Sequence, residues 1–446
     1  MDAAGRPRVA LPSRHRASAP LETLCVEQPG LPRAPRRPGG PVPSEQGATG
    51  RTMNVIVCHN YYRERGGEDQ VFENEVELLR SGGVQVTTMV RHNADLTSGK
   101  LPGTALGTPW NVAAYRELRR LVAETGAEIV HVHNWVPQLS PAVFYAARRA
   151  GAAVVHTLHN YRWACPKGTL FRDGAVCEDC FGRRLPWPAV RHACYRDRRS
   201  ASGVLAGSLA LHHALGTPVR AIDAYVAAGS FVKEKMVAAG LPADRIHLRP
   251  NFVTRDPGAG PGRGGYAMFL GRLSPEKGLD VLLEAWRRLP EPIPLKISGK
   301  GPLRPLVEAA AAELPAVEYL GFVPDDELDD LLGDAALLVF TSVTYEVQPI
   351  TIIEAFAKGT PVVGPDHGAT TELVVDGVTG WRFRPGDPEA LARRVADAFA
   401  DPARLADLRP KVRAYFEDRF LPVGSLEQLL RIYAAAKERR REGVRR

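Results

Sequence analysis

No apolar run in these 446 residues approaches ~18 in length, so no segment reads as a membrane-spanning helix. No apolar h-region follows Met1, where the chain is rich in Arg and Pro, which excludes a secretory signal there. Charge of one sign is also lacking where it would count. The formal net charge is +8, but residues 1–52 hold eight Arg against four acids, and residues 437–446 hold six basic against two acidic residues. The body between them is neutral, which argues against a nucleic-acid-binding surface. The basic C-terminal end invites a loose peripheral contact with anionic lipid. Large apolar residues are scarce in 1–52, which carry nine prolines, so this leader is expected to be disordered. Met53 opens the first credible strand and reads as a natural start. These absences together suggest a cytoplasmic protein, open to contact with the inner face of a membrane. Finally, no Asp-x-Asp occurs anywhere. That removes the simplest way to hold a divalent ion on a nucleotide diphosphate.

What is present is a repeated strand–helix rhythm. Met53–Asn60, Val84–Val90, Glu128–Asn134 and Ala152–Asn160 read as strands. Val71–Leu79, Asn111–Glu124 and Pro141–Ala150 read as the helices between them. Ser200–Leu215, Ala221–Ala228 and Phe231–Ala239 continue the series. Such alternation predicts a doubly wound parallel sheet, with ligands at the carboxyl ends of its strands. A flexible linker follows, and a second series opens at Tyr266–Arg272. Helices 278–289 and 387–400 and strands 294–299, 317–323, 335–340 and 361–364 belong to it. Leu426–Arg441 is a last amphipathic helix, with Ser425 placed to cap its start. The domain reading is a leader at 1–52, a first domain at 53–252, a linker at 253–264, a second domain at 265–422, and a C-terminal helix and basic tail at 423–446.

The chain is organised around Thr344–Thr360. An apolar strand leads into a loop, and Pro349 and Gly359 suit the first turn and the end of a short helix. The helix start leaves free N–H groups near Ile350 and Thr351, a seat for a phosphate. Glu346 precedes that seat, and Glu354 follows it on the helix. The pattern suits a nucleotide sugar, although two solvated glutamates on an ordinary βα unit would have the same spacing. Arg272 and Lys277 flank the loop Gly271-Arg-Leu-Ser-Pro-Glu-Lys-Gly278 and could clamp a diphosphate. Gly66 and Gly67 lie where a strand turns into a helix, so backbone could approach a phosphate closely or simply turn. His133 and His159 fall at strand ends, whereas His156 lies inside its strand as a packing residue.

Residues 161–199 interrupt the rhythm and hold Cys165, Cys177, Cys180 and Cys194. A Cys-x-x-Cys pair with two outlying cysteines suggests a structural zinc, with reduced thiols in a polar insertion as the alternative. Arg183, Arg184, Arg191, Arg196, Arg198 and Arg199 make the insertion basic, a possible cover for an anionic acceptor.

The Gly271–Gly278 loop, the Glu346-x7-Glu354 element and Gly359-Thr-Pro-Val-Val363 together strongly resemble glycosyltransferase family 4. Gly66-Gly67 and the strand end at His159 resemble the same family's first domain. The resemblance covers about Met53 to the C-terminus. It implies a GT-B fold: two Rossmann-like domains facing a cleft, acceptor side first and donor side second, with the last helix crossing back to the first domain. It implies retaining transfer of a sugar from a nucleotide sugar to a glycan or lipid-linked acceptor, without a catalytic metal, in envelope or exopolysaccharide assembly. Arg272 and Lys277 would then bind the diphosphate, Glu354 the ribose and Glu346 the donor sugar. Gly66 and Gly67 would approach the phosphate and acceptor region, and His159 the sugar near its reacting carbon. Val347-Gln348 replaces the family's common Gly-Phe or Ser-Phe-Gly and would lie by the sugar hydroxyls. A GT-B epimerase acting on its donor alone and a zinc-bearing adaptor without activity are the rival readings.

Overall fold

The structure, a computed structural model, describes residues 53–96 and 101–445; the leader at 1–52 lies outside them. Fourteen strands are present among the described residues. The first sheet is built from β1 (Asn54–Tyr61), β2 (Gln85–His92), β3 (Ile129–Val132), β4 (Ala153–Thr157), β7 (Ala224–Ala227) and β8 (Ile246–Leu248). A two-residue hairpin, β5 (Phe171–Arg172) and β6 (Ala175–Val176), stands apart in the insertion. The strand order is β2-β1-β3-β4-β7-β8, and every pairing in this sheet is parallel.

The second sheet is built from β9 (Ala267–Leu270), β10 (Leu295–Ser298), β11 (Val317–Gly321), β12 (Leu337–Val339), β13 (Val362–Pro365) and β14 (Gly380–Phe383), in the order β11-β10-β9-β12-β13-β14. In each sheet the winding reverses beside its first strand. The crevices at those reversals, outside the carboxyl ends of β1/β3 and β9/β12, are where such folds bind ligands.

The strands are apolar because both faces of each sheet are covered. In β1, Ile56 and Cys58 join the core on one face, while Val55 and Val57 join the core on the other. That second core is closed by the helix Gly67–Ser81 and by the last helix, Pro422–Arg445. Leu429, Ile432, Tyr433 and Ala436 of the last helix are buried against Val155 and Val226, so it does cross back to the first domain.

Three details differ from the sequence reading. The last helix starts at Pro422, so Ser425 lies inside it and is not its cap. There Ser425 accepts two hydrogen bonds from Arg249 Nε, at 3.0 Å on Oγ and 3.2 Å on its carbonyl oxygen. The basic end is not merely solvated. Lys437 pairs with Glu128, Arg439 with Asp244, and Arg440 donates to the carbonyl of Arg148. Helix Pro402–Arg419, with Pro410 inside it, was masked in the sequence by that proline. Among the described residues no helix is long and apolar enough to cross a membrane.

The crossing helix is expected to carry much of the first domain's stability. Leu429 is fully buried, so Leu429→Ala should lower the unfolding free energy by about 3 kcal/mol in urea denaturation. A change under ~1 kcal/mol would show that the helix is not integral to that core.

Candidate functional site in the interdomain cleft

The site begins with two turns at the switch point of the second sheet. β9 ends at Leu270, and Gly271–Gly278 folds back beneath the loop that leaves β12. Thr341 Oγ1 donates to the carbonyl of Lys277 at 2.7 Å, Ser342 Oγ to that of Glu276 at 3.0 Å, and Val343 N–H to the same oxygen at 3.0 Å. Gly278 makes this packing possible. Its φ is +65°, and a Cβ there would lie 2.2 Å from the Thr341 carbonyl oxygen.

The two loops bring Lys277 and Glu346 together at 2.7 Å, with Ser342 Oγ donating to the same carboxylate oxygen at 2.7 Å. Burial works to raise the Glu346 carboxyl, but Lys277, Ser342 and Arg272 outweigh it and hold the group below the usual range. Arg272 reaches Glu276 at 3.2 Å and is about half exposed. Next comes the helix Ile350–Ala357, with Pro349 in the capping position rather than inside the first turn. Ile350 and Thr351 supply the helix's first N–H groups, which have no acceptor within it.

The first domain faces this array. Gln70 Nε2 donates to Glu354 Oε1 at 3.2 Å, and Tyr161 Oη to the carbonyl of Glu346 at 3.4 Å. Gly66 and Gly67 start the helix Gly67–Ser81, and a Cβ on either would meet nothing within 4 Å. Neither has positive φ, so what glycine provides there is open space. Their turn is pinned by Asp69, which accepts from Gly66 N–H at 3.0 Å and lies 2.8 Å from His59 Nε2. His159 follows β4 and is partly exposed, and its Nε2 is 2.7 Å from His133 Nδ1. His156 is buried, with Nδ1 on the Val132 carbonyl, and burial brings its pKa down to about 3.

So the sequence-predicted residues fall on both walls of one cleft. Arg272, Lys277, Glu346, Ile350, Thr351 and Glu354 line the second domain, and Gly66, Gly67 and His159 belong to the first. Gln348 lies where the two walls meet. Its side chain accepts from Asn251 N–H at 2.6 Å and donates to the Ala228 carbonyl at 3.1 Å, bracing the second domain against the first. Glu372 makes a similar brace, accepting from the N–H groups of Ser230 and Phe231 at the head of helix Ser230–Ala238.

The four cysteines lie in one insertion as free thiols, and burial followed by the neighbouring thiols pushes Cys180 up to about 12. The four thiols lie within electrostatic reach of one another, Cys165, Cys177 and Cys194 all acting on Cys180. Among the described residues the group with ligand atoms all within 4.8 Å is Glu75, His131 and His133.

Sequence reasoning missed Gln70, Tyr161, Glu75 and Arg249. Glu75 left a signal: it shares a helix face with Val71, Phe72 and Leu79, all buried. A carboxylate in that stripe marks an internal partner. Gln70 and Tyr161 left none, because their roles exist only across the cleft.

Burial pushes the Glu354 carboxyl up to about 7 from 4.5, with Asp325 and Asp329 adding and Gln70 and Arg65 opposing. The folded protein therefore holds this proton more tightly than the unfolded chain. The stability contribution is complete below about pH 4.5 and is lost as pH rises through about 7. Glu354→Gln, neutral throughout, should make the ligand-free protein more stable than wild type by about 2 kcal/mol at pH 8 and change it little at pH 4.5. Urea unfolding at the two pH values reads this, and an equal effect at both would contradict it.

Two family models match the chain: Glycosyltransferase Family 4 over residues 65–256 and Glycosyl transferases group 1 over 255–415. An amylovoran biosynthesis glycosyltransferase of Erwinia amylovora, AmsK, is 32% identical over 208 residues, 41% of this chain and 50% of that protein. The chain thus spans about half the length of that relative. The phosphatidyl-myo-inositol mannosyltransferase of Mycobacterium leprae is 24% identical over 353 residues, 76% of this chain and 84% of that one. Among solved structures, Anabaena Alr3699/HepE in complex with UDP superposes with a TM-score of 0.61 at 17% identity, over 85% of this chain and all of that one.

Proposed function

This chain belongs to glycosyltransferase family 4, and from that premise we propose that it moves a sugar from a nucleotide-diphosphate sugar to a hydroxyl acceptor with retention of configuration. One observation carries the reading: Arg272, Lys277, Glu346 and the head of the helix Ile350–Ala357 converge at the switch point of the second sheet. A diphosphate needs that combination of cations and free N–H groups. The UDP held by the Anabaena neighbour supports a nucleoside diphosphate as the ligand class.

In this reading the diphosphate displaces Lys277 from Glu346 and takes both Lys277 and Arg272. The freed carboxylate then accepts hydrogen bonds from the donor sugar. Glu354 meets the ribose diol in place of Gln70. The acceptor hydroxyl attacks the anomeric carbon from the face that the diphosphate leaves, and the departing phosphate oxygen takes the hydroxyl proton. The two cations stabilise the charge that develops on the leaving group, an interaction stronger in the transition state than in the ground state.

The acceptor belongs to polysaccharide or glycolipid assembly, the setting that the names of the Erwinia and Mycobacterium relatives support. A lipid-linked acceptor suits the insertion, where Arg183, Arg184, Arg191, Arg196, Arg198 and Arg199 are exposed beside Leu185 and Trp187, which are 50% and 60% exposed. Basic side chains with apolar neighbours suit the surface of an anionic bilayer.

The test is transfer from a panel of nucleotide sugars, preceded by thermal-shift measurements to find the donor. Arg272→Ala should lower kcat by about 10²-fold or more while the folded protein is retained. Near-normal turnover would remove the leaving-group assignment. Conversion of the donor without acceptor would favour an epimerase, and no shift with any nucleotide would favour a non-catalytic scaffold.

A further inference from the structure

Behind the cleft lies a buried network that this mechanism does not use. Glu75 is fully buried in the helix Gly67–Ser81. Its Oε1 is 2.9 Å from His133 Nε2 and 2.8 Å from His131 Nδ1, and its Oε2 accepts from Arg249 Nη1. His131 also meets Tyr433 Oη of the last helix at 2.9 Å and Thr157 Oγ1 at 2.7 Å. His133 passes the chain on, its Nδ1 lying 2.7 Å from His159 Nε2.

The cluster has the spacing of a metal site, but its contents argue otherwise. A guanidinium sits on the same carboxylate. Each imidazole nitrogen of His131 and His133 already has a protein partner. A cation would have to lie beside Arg249 and break those bonds.

The proton positions follow from the partners. Two imidazoles and a guanidinium face Glu75, and although burial opposes ionisation, they hold its carboxyl well below the usual range, so it is an acceptor only. His133 must donate to it from Nε2. Burial brings His133 down to about 4, so the ring is neutral and its Nδ1 is a lone pair. His159 must then donate from Nε2 to that lone pair, which leaves its own Nδ1 unprotonated. His159 Nδ1 has no protein partner among the described residues.

We propose that Glu75 and His133 are positioning residues for the transfer, holding His159 as its Nε2–H tautomer so that the Nδ1 lone pair accepts a hydrogen bond from a hydroxyl of the sugar being moved. This rests on the placement of His159 at the sugar. The relay is anchored from outside the site. Arg249 follows the last strand of the first sheet and binds Ser425, and Tyr433 binds His131, so the crossing helix holds the network at two points. A freely rotating imidazole would present either nitrogen, whereas this one presents a single acceptor in a fixed direction.

The experiment uses the full chain with ¹⁵N-labelled histidine, the His159 signals being identified by their loss in His159→Gln. The wild type should show His159 protonated on Nε2 and unprotonated on Nδ1. Glu75→Gln should shift it toward a mixture of tautomers, because an amide can donate to His133 as readily as accept from it. The kcat should fall about 10²-fold with the KM for the nucleotide sugar changed less than about threefold, and Glu75→Asp should recover part of the loss. If Glu75→Gln does not fold, His133→Gln, which leaves the Glu75–Arg249 pair in place, should give the same shift and the same loss. Wild-type His159 signals, or wild-type kcat, in whichever of these variants folds would overturn the proposal. Absence of transfer by the wild-type chain with every donor would instead strike the transferase reading, and the tautomer measurement would still report on the relay.

Discussion

The buried pairing of Glu75 with Arg249 is the contact on which most of the first domain's architecture converges. Glu75 comes from the first helix and Arg249 from the end of β8. Through Ser425 and Tyr433 the last helix joins them, and through His131 and His133 so does β3. A charge taken out of water is tolerable only when its partners are complete, and removing one partner of such a pair costs about 3–5 kcal/mol. That cost makes the arrangement selective. The crossing helix cannot slide along the sheet without leaving Arg249 or His131 unsatisfied, so its register is tied to the strand ends that face the cleft.

The cleft itself is organised by opposite means. Lys277, Glu346 and Arg272 lie at its surface, partly open to water, and can exchange partners at modest cost. In the ligand-free protein the ion pair between Lys277 and Glu346 satisfies both groups. An anion entering the cleft would compete with Glu346 for the cation. The scaffold is therefore fixed by contacts that cannot exchange, and the second domain's wall of the cleft by contacts that can.

The domains meet through Gln348 with Ala228 and Asn251, through Glu372 with the head of the helix at Ser230, and through Gln70 with Glu354. Each is a side chain of one domain satisfied by backbone or an amide of the other. To these polar contacts Tyr345 and Val347 add apolar packing against the first domain's core, with Tyr345 edge-on to Phe231. At this point Gln348 ties the second domain to Asn251 and Ala228 of the first.

Local sequence determined the elements and the second domain's wall of the cleft. Strand–helix alternation follows from burial on both faces of a parallel sheet, and it was legible because the apolar runs are uninterrupted. Arg272, Lys277, Glu346 and Glu354 were legible because each lies within a few residues of a strand end or helix start, where local geometry places a side chain. Pro410 hid a helix, and Pro422 shifted the last helix so that Ser425 became a buried partner instead of a cap. Tertiary structure alone decided what meets across long separations. His133 reads the same as His159 in the sequence, yet one is sealed behind Glu75 and the other reaches the cleft. The four cysteines, spread over thirty positions of the insertion, come within electrostatic reach of one another. Spacing along the chain constrains direction within one element, whereas a hydrogen bond between residues hundreds of positions apart depends on how whole sheets and helices are packed.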